Sequence, residues 1–207
     1  LSQHERKELM KRKYDQVYQF KITLKGTKPP IWRRIQVPET YTFWDLHVAI
    51  QDAMGWDDYH LHEFIFTLPI TKIEAHIGIP MEDDLDETML PGWEINISNF
   101  FSLENPKGDY CYDFGDGWQH DIILEKILPR ETGVIYPKCV DGKRACPPED
   151  CGGIGGYAEF LEAIGDPANE RHEDMLDWVG GSFDPEDFNP SEVKFDDPAK
   201  RFKIAFG

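Results

Sequence analysis

The residues with most chemical potential fall into three groups. Cys139-x6-Cys146-x4-Cys151 places three thiols within thirteen residues, and His60-x-His62 supplies two imidazoles. Zinc takes four soft or borderline ligands in a tetrahedron, so three thiolates and one imidazole would satisfy it. A metal there would also pin down a loop too poor in apolar residues to hold itself in place. The spacings differ from the Cys-x2-Cys pairs of zinc fingers. The bland alternative is that the cysteines are small buried hydrophobes and the histidines hydrogen-bonded core residues.

Asp113, Asp116 and His120 form the second group. Two carboxylates and an imidazole in eight residues could hold a divalent metal for hydrolysis. Strand alternation sets Asp113 and His120 on opposite faces unless a bulge intervenes. Asp116 between Gly115 and Gly117 suits a tight turn, and His120 beside Tyr112 and Trp118 reads as part of an aromatic layer. Glu149-Asp150, ahead of Gly152-Gly153-Ile154-Gly155-Gly156, is the third group. Its glycines loosely match a dinucleotide-binding loop, but no strand is read before them, which that motif requires. Tyr112, Asp113, Asp116, Trp118, His120, Glu149 and Asp150 together make a candidate pocket beside the candidate metal ligands Cys139, Cys146, Cys151, His60 and His62.

The elements that must position these residues are legible in part. Residues 16–24 alternate polar and apolar, and 31–37 read as the returning strand of a hairpin. Thr42 and Asp45 suit a capping box for a helix over 43–54, with Gly55 as its stop. Residues 59–66 predict a third strand with His60, His62, Phe64 and Phe66 on one face. Residues 93–97 suggest a short strand. Residues 110–125 predict a hairpin whose three-residue loop sets Phe114 opposite Trp118 and Tyr112 opposite His120. Residues 136–156 read as irregular loop, 157–164 and 170–179 as helices, and 191–194 as one helical turn. The expected fold class is α+β: a mixed β-sheet with a β-grasp-like β-β-α-β opening and a small helical C-terminal part. Residues 16–207 are expected to be one domain behind a basic segment, 1–15.

Composition bounds the function. The 207 residues carry 22 basic and 39 acidic side chains, a formal net charge of −17. Such a surface repels phosphate, so direct nucleic-acid binding is not expected. Residues 1–13 run against the trend at net +3 and suit a solvated arm or an acidic partner. No apolar run approaches the ~18 residues a membrane span needs. No export signal is visible, so the cytoplasm is the expected location and free or metal-bound thiols the expected state of the cysteines. The acidic run 82–87 suits a solvated loop, with cation binding as the sharper reading.

Trp56-x3-His60-Leu61-His62-x-Phe64, Tyr112-Asp113-Phe114-Gly115-Asp116-x-Trp118-x-His120 and Cys146-Pro147-Pro148-Glu149-Asp150-Cys151-Gly152-Gly153-x2-Gly156-Tyr157 together resemble the plasmid pRiA4b ORF-3-like family. The resemblance spans about Tyr18 to Phe202. It implies a prokaryotic α+β protein without an established biochemical role; some relatives carry labels tying them to mobile elements. No nucleophile–base–oxyanion set stands out. The leading expectation is therefore a non-catalytic binding or interaction module with a structural zinc as its one cofactor. A metal-dependent hydrolase is the alternative, and an accessory protein of plasmids or transposable elements a third. A protein partner is compatible with each.

Overall fold

The period-two pattern of residues 16–24 becomes strand β1 (Gln16–Leu24), which pairs antiparallel with β2 (Trp32–Pro38). The computed structural model describes residues 14–68, 70–80 and 89–207. The basic arm 1–13 and the acidic run 82–87 lie outside the described residues. Helix α1 (Phe43–Met54) follows β2, and then come β3 (His62–Thr67), β4 (Glu74–Gly78), β5 (Met89–Pro91), β6 (Lys107–Tyr112), β7 (Trp118–Pro129) and β8 (Lys138–Lys143). The C-terminal part holds α2 (Gly153–Gly165), α3 (His172–Trp178) and α4 (Pro198–Phe206). Among the described residues the strands make one eight-stranded mixed sheet, ordered β5-β4-β3-β6-β7-β1-β2-β8, with β4 and β5 the parallel pair.

The fold is α+β, and its first four elements occur in the expected β-β-α-β order. The grasp-like comparison ends with that order, because β6 and β7 separate β3 from β1.

One sheet face carries Phe20, Ile22, Ile35, Phe64, Phe66, Tyr110, Trp118 and Ile122, all buried. Helix α1 covers it. Phe43 enters an aromatic cluster, with ring centroids 5.0 Å from Phe64 and 5.5 Å from Phe66. The helix starts where its capping box says: Thr42 accepts from the Asp45 N–H at 3.2 Å, and the Asp45 carboxylate accepts from the Thr42 N–H at 2.9 Å. It stops at Gly55, whose φ of 91° is easy only for glycine. The opposite sheet face is polar: Arg34 donates to both oxygens of Glu125, which also accepts from Gln19.

Several local expectations change. Strand β3 begins at His62, so His60 sits in the approach to the strand rather than on its face. In the β6–β7 hairpin Tyr112 pairs with Trp118 and Tyr110 with His120, leaving a five-residue connection, 113–117. Asp113 has left the ladder with φ 54°, so strand alternation does not govern its direction. Residues 93–96 form a turn with one isolated bridge, Thr42 to Asn96, and Ile97 opens a short 3-10 helix, Ile97–Asn99. The glycines before Tyr157 are the first turn of α2, not loop. Strand β8 lies inside the segment whose sequence reads as irregular, and α4 forms where the sequence reading places no element.

Candidate metal centre

The three motifs lie far apart in the chain and meet in space at one end of the sheet. Backbone bonds start the convergence: the Asp113 N–H donates to the Leu61 carbonyl at 2.9 Å, bringing the hairpin tip against the approach to β3. Tyr112 extends this, because its hydroxyl accepts from the Tyr59 N–H at 3.1 Å and donates to Glu149 at 3.1 Å. Glu149 also accepts from the Asp57 N–H at 2.8 Å. The buried Trp56 indole donates to the Pro147 carbonyl at 3.0 Å, and Asp116 accepts from the Gly152 N–H at 3.0 Å. The Cys-Pro-Pro-Glu-Asp-Cys loop is thus held by polar contacts to both other motifs.

Two glycines permit this close approach. A Cβ on Gly156 would overlap the Cys151 carbonyl, and one on Gly153 would overlap the Asp116 carbonyl. Their role is tight backbone packing at the start of α2.

At the meeting point stand His60, Asp113 and Asp150. His60 Nε2 lies 3.0 Å from Asp150 Oδ1 and 3.6 Å from Asp113 Oδ2. All three ligating atoms fall within 4.8 Å of one another, the one such set of three among the described residues. Asp113 is prepared for the position. Its Oδ1 accepts from the N–H groups of Gly115 and Asp116, which leaves Oδ2 directed toward His60. Asp113 and Asp150 both adopt positive φ, 54° and 56°, a conformation aspartate tolerates better than most residues. The Asp113 side chain is 9% exposed and that of Asp150 is 68% exposed, so the set sits at the surface with one buried wall. Burial raises the pKa of the neighbouring Glu149, against the hydrogen bonds it accepts.

The other sequence-derived residues lie elsewhere or act differently. No set of three ligand atoms includes a sulfur of Cys139, Cys146 or Cys151 among the described residues. Burial raises the pKa of all three thiols, that of Cys151 to about 12, which keeps them protonated in the metal-free protein. His62 turns into the core, its ring stacked on His47 with centroids 3.4 Å apart and planes at 7°. Burial, then the His47 charge, lowers the His62 pKa well below 6.5. His120 is wholly buried near Trp56 and Tyr110. Trp118 is a core residue.

Sequence reading missed a buried polar chain behind this layer. His47 Nδ1 meets the Tyr110 hydroxyl at 2.8 Å and Nε2 meets Asp58 at 2.7 Å. Asp58 in turn accepts from Arg201 of α4 at 2.9 Å. The available signal was His47 itself, a polar residue among the apolar positions of α1.

Comparison with known proteins agrees with this architecture. The family model described as plasmid pRiA4b ORF-3-like protein matches residues 16–192. The uncharacterized protein y4hQ of Sinorhizobium fredii (strain NBRC 101917 / NGR234) is 36% identical over 167 residues, covering 80% of this chain and 82% of that protein. The crystal structure of a protein of unknown function, MM3350 from Methanosarcina mazei Go1, superimposes with a TM-score of 0.82 at 49% identity, covering 88% of this chain and 100% of that one. The chain belongs to the plasmid pRiA4b ORF-3-like family.

Proposed function

We propose that the chain is a non-catalytic binding module built around a divalent-cation centre at His60, Asp113 and Asp150, with zinc as the first candidate ion. The carrying observation is that three segments distant in sequence bring one imidazole nitrogen and two carboxylate oxygens within 4.8 Å. Ligand atoms about 2.0–2.1 Å from a tetrahedral zinc stand about 3.3–3.4 Å apart. The two His60–carboxylate separations, 3.0 and 3.6 Å, bracket that spacing, and the third, between the carboxylates, is within 4.8 Å. Three protein ligands leave coordination open for a group supplied by a partner. His60 is the member of the sequence-derived ligand set that this centre retains.

Calorimetric titration of chelator-treated protein with Zn²⁺ and Mn²⁺ tests the proposal. One site is expected, lost in His60→Ala and weakened at least about tenfold in Asp113→Asn. Zinc binding that survives Asp113→Asn but fails when Cys146 and Cys151 become serine would move the ion to the thiols and overturn this reading. A second reading, a metal-dependent hydrolase, draws on Glu149. This carboxyl has a raised pKa and adjoins Asp150, a combination that suits a general base. Hydrolysis of p-nitrophenyl esters or phosphates that requires added metal and disappears in His60→Ala would favour it over the binding module.

A further inference from the structure

A separate feature lies under the C-terminal end of α1. Arg33 of β2 is 1% exposed. Its Nε donates to the Ala53 carbonyl at 2.7 Å, and its Nη1 donates to the carbonyls of Trp32 and Lys143, each at 3.0 Å. Its Cζ lies 3.7 Å from the centroid of the Phe188 ring. No carboxylate oxygen lies within the 4.0 Å of an ion pair among the described residues, although acidic side chains dominate the chain. Neutral carbonyls satisfy donors without cancelling a charge, and buried charges are otherwise paired. Burial accordingly lowers the pKa of this guanidinium.

Among the described residues Nη2 makes no such hydrogen bond, and it is not one of the fully buried polar atoms left without a partner. Arg33 lines a groove of 340 Å³ whose walls include Met54, Phe188, Val193 and Lys194. Asp52, Asp187 and Glu192 belong to the same lining. The groove thus combines one buried cation holding an unused donor, the exposed Lys194, an apolar wall and three carboxylates, of which Asp52 already faces Arg201. A polyanion is repelled by the carboxylates. A purely apolar ligand leaves the guanidinium uncompensated. A zwitterion with an apolar side chain matches the guanidinium, the wall and the carboxylates.

We infer that this groove binds a free apolar α-amino acid, with its carboxylate on the unused Arg33 donor, its ammonium toward Asp187 and Glu192, and its side chain on Phe188 and Val193. The site is independent of the cation centre.

Saturation-transfer NMR and calorimetry with leucine, phenylalanine and leucinamide, on chelator-treated full-length protein, test this. Leucine and phenylalanine are expected to bind, and leucinamide, which lacks the carboxylate, at least about tenfold more weakly. Arg33→Met is expected to abolish leucine binding while its circular dichroism stays native. Should that variant fail to fold, the leucine–leucinamide comparison on the unaltered chain decides. Equal binding of leucine and leucinamide, or no binding of either amino acid up to ~10 mM, a ceiling corresponding to very weak affinity, would overturn the inference.

Discussion

Replacing His120 by phenylalanine removes two buried ring nitrogens and keeps an aromatic ring of similar size. Among the described residues neither nitrogen has a hydrogen-bond partner of good geometry, although the backbones of Tyr110 and Trp118 favour its charged form in part. Leaving buried polar atoms unsatisfied costs about 1–3 kcal/mol, so the variant should be at least as stable as the parent near neutral pH. The acid limb gives the sharper contrast. Burial depresses the His120 pKa from 6.5 to about 3. Below 6.5 the unfolded chain therefore takes a proton that the folded state refuses. Stability from this group is full above the unfolded pKa, falls with acidification, and is exhausted once pH passes the folded pKa. The slope is about 1.4 kcal/mol per pH unit, so near pH 5 the parent has lost about 2 kcal/mol that His120→Phe retains. His62 adds its own acid sensitivity to both proteins. Urea melts at two pH values measure the difference. A variant more than about 2 kcal/mol less stable near neutrality, or one with the parent's full acid slope, would refute the picture of an unbonded, neutral His120.

Other substitutions probe other links. Gly156→Ala forces a Cβ into the Cys151 carbonyl; a loss of about 3 kcal/mol or more is expected by urea melt, with cation binding impaired because the loop bearing Asp150 must shift. Arg201→Met leaves Asp52 and Asp58, whose side chains are 8% and 11% exposed, without their shared cation. It should cost about 3 kcal/mol and expose α4 to limited proteolysis. Thr42→Ala removes half of the capping box and should cost about 1 kcal/mol in the same melts.

Elements with local, redundant signals were the readable ones. The β1 alternation, the Thr42–Asp45 box and the Gly55 stop each encode their structure within a few residues. Strand β8 was hidden because Lys138–Lys143 has little β-branched or aromatic content and pairs only with β2 at the sheet edge. Helix α4 was hidden for a related reason. It is short and docks by long-range contacts, with Phe202 and Phe206 against Trp44 and Trp93 and the Trp44 indole donating to the Pro198 carbonyl.

The candidate centre was half legible. His60, Asp113 and Asp150 all stand out in the sequence, but strand alternation misplaces two of them. Both His60 and Asp113 stand just beyond strand ends, where side-chain direction is set by turn geometry instead. That freedom lets His60 face the carboxylates while His62, two residues on, turns into the core.

The most direct test of the cation centre is anomalous scattering at the zinc edge from crystals grown with zinc. A single strong peak is expected between His60 Nε2, Asp113 Oδ2 and Asp150 Oδ1. A peak on the sulfurs of Cys146 and Cys151, or none at the three predicted atoms, would contradict the account.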